Sequence, residues 1–527
     1  GQMNVAVGYN AMYLSNVDGY NTAVGANSLS ANTSGTSNVA VGYRSLATAT
    51  TAGSNTGVGY ESLDDTTTGS FNTALGRRSL FVATTGAKNV AVGNEAGMSI
   101  TTGSENVMIG TFAGSSNASS TNGITTGTAN IAIGLGAMAG DGTAATGGYN
   151  IAIGRYAGQK FTSCNYNIAI GRSSLDANTT GQYNIAIGDN AISTNVAANR
   201  NTALGYEAFM NLTRASNTDT HNTGVGMYAG RGMTSGAYNS IFGAHAGDAL
   251  TSGSHNALFG YDCGGLLTTA TGVIAIGTMA AQTATTGNYS IAIGYEAAKN
   301  LTGGSQNVHL GFRTGYYGFG SENNVCIGYE AGKGDTTSGS PAMHFNVFIG
   351  KQVGRVCRTS QNNVGIGNEA LFNLQASGNN VAVGTYTLRN SQSPSNCTAV
   401  GIYAGQYTSG GNNVLVGIYA GTFLSTGTYN TFMGSEAGRG SSTTANTASQ
   451  NVGLGYAALY STSSGGHNVA TGTFSLFANT TATGNVANGY GALYSNTYGA
   501  YNSATGYLPL YNNTSGIYNV AVGSGAN

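Results

Sequence analysis

The sequence predicts an all-β protein, a parallel β-solenoid (β-roll) of about 30 coils, and three observations predict it. A motif of the form Asn-Val-Ala-Val-Gly occurs thirty times in 527 residues, and twenty-three of the twenty-nine intervals between copies are 17 residues long. The fifth residue of the motif is Gly in every copy. Charged residues make up only 7% of the chain, with 85 Gly, 3 Pro and no Trp. A repeat this short cannot bury its own apolar face, so stacked neighbours must supply the core. An ordinary globular chain is about a quarter charged; here hydroxyl and amide side chains make the surface. Abundant Gly with so little Pro excludes collagen and proline-rich disorder. The unbroken repeat therefore predicts a single continuous repeat solenoid over 1–527, although the length alone suggests several globular domains. At about 4.8 Å per strand, thirty coils would span roughly 140 Å.

Each coil is numbered here from its leading Asn as position 0. Position 4 is the invariant Gly, as in Gly8, Gly25, Gly42, Gly134, Gly294 and Gly523. Invariance within one chain reports a backbone demand, either positive φ or an approach too close for a Cβ, so these residues are the structural corners. Asn leads 27 copies, the exceptions being Val273, Ser290 and Cys397. Stacked Asn side chains can form amide ladders along the axis.

Positions 1 to 3 alternate like a short strand. Position 3 is Val, Ile, Leu, Phe or Met in 27 copies, and position 1 is mostly Val, Ile or Thr. These two share a face, which is expected to be the coil interior. Thr471, Asn488 and Thr505 at position 3 would then mark a wet or ion-containing segment, or local loosening. Position 2 is expected to point away from that interior, yet it is Ala in 18 copies, Gly in four, and otherwise large and uncharged. A strand apolar on both faces needs a second layer. Ala6, Ala132, Ile241, Leu258, His309, Phe348, Leu415 and Phe432 are therefore expected at an interface with another copy, and closed symmetry is the default for identical chains. His309 would there form a pH-sensitive or metal-binding ring on an axis, or pack as a neutral side chain. After the corner comes a small residue at position 7 and often Leu or Gly at position 8, as in Ser28-Leu29 and Ala404-Gly405. Turns such as Thr67-Thr68-Gly69 close the coil.

The repeat resembles the head repeats of trimeric autotransporter adhesins, whose signature is Ser-Val-Ala-Ile-Gly. Asn130-Ile131-Ala132-Ile133-Gly134 and Ser290-Ile291-Ala292-Ile293-Gly294 carry the likeness. The longer form, Asn178-Thr179-Thr180-Gly181 ahead of Asn184-Ile185-Ala186-Ile187-Gly188, is similar to repeats of phage tail-fibre and bacterial surface proteins. The resemblance covers the whole chain and implies a left-handed β-roll with three subunits around one axis, a homotrimer. The adhesin repeat is shorter than 17 residues, which leaves the number of strands per turn open.

A net charge of −1 gives no footprint for nucleic acid. No apolar run approaches 18 residues, so no direct membrane insertion is expected in this segment. Both ends fall in repeat phase, as in a portion of a longer fibre chain whose flanking fibre domains cover the ends. Five cysteines show no metal spacing and read as small buried hydrophobes, with interchain disulfides the alternative. The acidic residues are dispersed, and only Asp64-Asp65 are adjacent. No enzymatic activity and no cofactor or metal is expected.

Five coils carry extra residues, within 115–129, 141–149, 211–221, 334–345 and 440–450. Insertions in solenoids loop out on one face, often the binding face. Asn117, Asn122, Asp141, Arg214, Asp219, Asp335, His344 and Asn446 are accordingly candidate contacts for a glycan or surface receptor, with ligand-free decoration the alternative. The 32 Tyr residues either stack on sugars or brace the corners. The expected function is a structural and adhesive fibre shaft, extracellular, on a virion (phage tail fibre) or a cell surface (bacterial adhesin), supporting host attachment. The alternatives are an ice-binding solenoid, disfavoured because the position 1 threonines are expected to face inward and the turn threonines to drift, and a polysaccharide-degrading tail spike.

Overall fold

A computed structural model describes residues 3–15, 19–115, 123–140, 142–214, 216–335 and 342–526. Two compact units divide the chain, Gly1–Ala270 and Thr271–Asn527. Each contributes fifteen three-residue strands, all at positions 1 to 3 of the repeat, and no α-helix occurs among the described residues. Within each unit successive strands pair in parallel and in register, as in Val39↔Thr56, Ala40↔Gly57 and Val41↔Val58. Each unit is thus a parallel β-solenoid with one coil per repeat. Insertions leave the register intact: Met108 pairs with Ala132, Ala203 with Gly224, Cys326 with Phe348 and Phe432 with Gly453.

The corner glycines all have positive φ, and those followed by a further coil of the same unit also leave a Cβ no room against it. Gly134 has φ +131°, and a Cβ there would lie 2.6 Å from the Gly154 carbonyl oxygen of the next coil. Just past the corner the chain twice enters the left-handed region, as at Asn27 (φ 56°) and Leu29 (φ 49°), and it does so again before each leading Asn, as at Tyr183 (φ 58°). Side-chain residues resist this conformation by about 1–2 kcal/mol. Coil-to-coil hydrogen bonds hold it: Asn27 N–H donates to Tyr9 O at 2.8 Å and Leu29 N–H to Ser45 O at 3.0 Å.

The leading Asn side chains form a buried ladder. Asn38 Nδ2 donates to Asn21 Oδ1 (3.2 Å) and to the Ala52 carbonyl across its own coil (2.8 Å). Asn38 Oδ1 accepts from the N–H (3.0 Å) and Nδ2 (3.2 Å) of Asn55. One amide thus uses two donors and two acceptor sites, its full capacity. Ser290 keeps one rung by accepting from Asn307 N–H at 3.3 Å, and Cys397 N–H still donates to Asn380 Oδ1 at 3.0 Å.

The expected assignment of inside and outside is reversed. In every strand after the first, position 2 is buried and positions 1 and 3 are half-buried or exposed. The reason lies across the coil. A 17-residue coil is thin, and position 8 closes on position 2 from the opposite wall. Wherever position 2 is large, position 8 is Gly: Met108 with Gly114, Ile241 with Gly247, Leu258 with Gly264, His309 with Gly315, Cys326 with Gly332, Phe348 with Gly354, Leu415 with Gly421 and Phe432 with Gly438. A Cβ on Gly354 would come within 2.7 Å of the Phe348 ring, and one on Gly421 within 2.6 Å of Leu415. Where position 2 is Ala, the opposite wall is often Leu, as in Ala23 with Leu29 and Ala382 with Leu388, all fully buried. The Ala and Gly at position 2 are small because their own core leaves no more room.

Threonine hydroxyls add a second axial row. Thr33, Thr50, Thr67, Thr84 and Thr101 each donate Oγ1 to the carbonyl of the equivalent residue one coil on, at 3.0–3.2 Å. These turn threonines hold one position rather than drifting. Exposed aromatic rings stack likewise, as in Tyr149–Tyr166–Tyr183 with centroids 5.1 Å apart. Face-to-face stacking leaves ring edges to solvent, so the Tyr columns brace coils.

Candidate functional site

Reversal of the strand faces relocates the surfaces available for binding. Ala132, Ile241, Leu258, Phe348, Leu415 and Phe432 are completely buried in the chain's own core, and His309 is 1% exposed. They cannot form an intersubunit face; of the residues so assigned, only Ala6, in the first strand, is exposed. His309 packs over Gly315, and neither ring nitrogen has a hydrogen-bond partner among the described residues. Burial pushes its pKa down to about 4. The ring is therefore neutral, and no axial His cluster exists at this position of the fold. Because the folded pKa lies below the unfolded value of about 6.5, stability is lost as pH falls from 6.5 through 4, by ~3 kcal/mol in all. His309→Leu is expected to remove that acid-sensitive component and to raise stability at pH 7, since a buried unsatisfied polar group costs about 1–3 kcal/mol. Urea midpoints of the two proteins at pH 7 and pH 4.5 check this: a wild-type-minus-variant difference that does not change with pH would contradict it.

The outward strand face is instead lined by positions 1 and 3. Leu75 is 49% exposed, Leu204 45% and Ile276 39%, and Phe242 stacks on Phe259 at 4.8 Å. Thr22, Thr56, Thr73 and their equivalents lie on this face, contrary to expectation. Thr471, Asn488 and Thr505 also face outward, so their polarity marks no wet interior. All five cysteines are buried, as expected of small hydrophobes.

The inserted loops supply the concave features. A groove of about 650 Å³ lies beside the insertion at 440–450, and a second of about 370 Å³ borders the same loop. Phe423 and the loop residues Ser441, Ser442 and Thr444 line both. The larger is also walled by Arg439, Tyr460, Thr480 and Thr481. Arg439 is held in place by donating Nη1 to Tyr460 Oη at 2.7 Å. Asn446, expected as a contact, is instead a buried anchor: its Oδ1 accepts from Ala448 N–H (3.1 Å) and its carbonyl from Ser425 N–H (2.8 Å). Loop residues Ser441, Ser442 and Thr444 carry no sequence signal of a site, since nothing in the repeat distinguishes them from other turn hydroxyls.

The other candidates occupy separate loops. Arg214 donates to the Ser235 carbonyl. Asp219 is exposed, pairs with Arg200 at 3.0 Å and accepts from Asn199 at 3.2 Å, and these contacts hold its carboxyl below the ordinary value. Asp335 pairs with Arg358 at 2.9 Å, beside a depression lined by Tyr317, Lys333 and Arg355. His344 is half-buried on another depression, with Gln361 and Ser377. Asn117, Asn122 and Asp141 lie outside the described residues.

Glu330 and Asp64 serve as structural charges. Burial alone would raise the Glu330 pKa, but hydrogen bonds from Arg355 (2.7 Å), Lys333 (2.7 Å) and Gln352 (3.0 Å) hold it down to about 2. Asp64 is 1% exposed and bound by Arg44 at 2.9 Å. No group of three or more His, Cys, Asp or Glu residues placed to hold a metal ion occurs among the described residues. No known family profile matches the chain, and no curated protein matches it.

Proposed function

We propose that the chain is a structural and adhesive fibre shaft, extracellular on a virion or cell surface, whose copies associate side by side and whose inserted loops contact a glycan or surface receptor. The observation that carries this reading is the outward strand face. Of the thirty side chains that positions 1 and 3 present in each unit, twenty-four are apolar and none is charged. At roughly 40 Å² of exposed side chain per residue, the apolar residues of one unit offer about 1,000 Å², above the ~800 Å² per partner of a standard interface. A partner matching the axial spacing of this face is another copy of the same solenoid. The adhesin-like motif supports a left-handed roll and three copies, and its tail-fibre likeness supports attachment as the purpose. Carboxylates engaged by Arg and Lys favour a non-enzymatic role over a polysaccharide-degrading spike.

Sedimentation tests the assembly. The intact chain is expected to sediment as a trimer at micromolar concentration. An Ile170→Asp/Ile187→Asp variant is expected to shift towards monomer with its far-UV spectrum unchanged, because both residues point outward. A wild-type monomer would defeat the reading. Outward threonines revive the ice-binding alternative, but at position 1 they run through no more than two successive coils, as in Thr56–Thr73 and Thr202–Thr223. The longer turn row uses its hydroxyl protons internally. Thermal hysteresis in the purified protein would favour that alternative.

A further inference from the structure

The groove beside the 440–450 loop lies at the end of an aromatic column. Tyr407 and Phe423 stack at 5.5 Å, each two residues after a core glycine, Gly405 and Gly421. In the next coil the equivalent residue, two after Gly438, is Gly440. The stack therefore stops, and Phe423 has no further ring partner among the described residues. Its second face opens into the groove, whose floor continues through Ser461 in the following coil. Serine and threonine hydroxyls of the loop form one lip, while Thr480 and Thr481 close the far end. The only charged lining residue is Arg439, already engaged by Tyr460 and 3.9 Å from Glu436.

We propose that this groove is a binding site for a neutral pyranose glycan, with one sugar ring seated on the open face of Phe423. A pyranose has an apolar C–H face and a hydroxylated rim. Phe423 offers a polarizable face for the first, and hydroxyls that both donate and accept surround the second. The volume lies within the range of about 300–1,000 Å³ typical of small-ligand sites. With no carboxylate among its lining residues, the site retains a sugar without cleaving it. The proposal rests on the adhesive reading and names the ligand class of one loop.

Saturation-transfer NMR on the intact chain tests it, using neutral tetrasaccharides built from glucose, galactose, mannose or N-acetylglucosamine, with a sialylated tetrasaccharide as comparison. At least one neutral probe is expected to bind. Phe423→Ala, which removes the face, and Ser461→Trp, which fills the floor from a half-buried surface position, are each expected to weaken binding at least tenfold. Tyr494→Ala, in the ring column beyond the groove, is expected to leave it unchanged. No binding by any neutral probe, binding of the sialylated probe alone, or equal binding by both groove variants would overturn the proposal. Lateral assembly is read separately by sedimentation. A groove that fails while assembly stands removes the ligand assignment alone, and the reverse removes the fibre.

Discussion

Replacing Asn184 by alanine is expected to destabilise the surrounding coils by about 2 kcal/mol, at roughly 1–3 kcal/mol per buried group left unpaired. Asn184 Nδ2 donates to the Ala198 carbonyl (2.9 Å) and to Asn167 Oδ1 (3.2 Å), and its Oδ1 accepts from Asn201 N–H (3.0 Å) and Nδ2 (3.1 Å). The variant leaves the buried Asn201 N–H without this acceptor, while the Ala198 carbonyl keeps a second donor, Asn195 Nδ2 at 3.1 Å. Serine should cost about half as much, because its hydroxyl can accept from the following N–H, as Ser290 does for Asn307. Repeat arrays do not unfold as one cooperative unit. Hydrogen exchange over residues 167–222 is therefore the appropriate measurement, with urea unfolding alongside. Equal protection in the alanine and wild-type proteins would show that the ladder adds nothing beyond the strand pairing.

The second large effect is a volume exchange across the core. Ala382→Leu alone should overpack its coil and cost about 1–3 kcal/mol. Leu388→Gly alone should empty the opposite wall and cost about 2–5 kcal/mol, less about 1 kcal/mol because Leu388 sits at φ 48°. Together they reproduce the Leu415/Gly421 arrangement found two coils later, and the pair should recover most of the loss. The expected coupling is about 2 kcal/mol, read as a double-mutant cycle in hydrogen exchange over 363–430. Additive effects would show that positions 2 and 8 do not share one space.

Much of the fold is legible in the residues. The 17-residue interval fixes the coil, the invariant glycines mark the corner where a Cβ has no room, and the leading Asn forms its ladder. Which strand face points inward is not legible from residue size alone, because large Val and Ile suggest a core face and small Ala a close approach between chains. In a coil this thin the room at position 2 depends on position 8. The decisive signal was present: each of eight large residues, from Met108 to Phe432, is followed six residues later by Gly. The insertions point to the groove region, yet Asn446 serves as its anchor and Phe423, a coil earlier, supplies its open face. Ring stacking is a relation between coils, and a single repeat does not display where a stack ends.

The amide ladder also sets how the C-terminal unit bears load. Its rungs run along the axis, so an axial pull acts on the coil junctions in series and every junction feels the same force. Such a chain of links yields at its weakest junction. At Cys397 the thiol turns to the Gly410 carbonyl at 3.3 Å instead of offering an amide to Asn413, and Val273 offers no polar side chain at all, so the junctions that follow these two residues are expected to yield before those bridged by Asn.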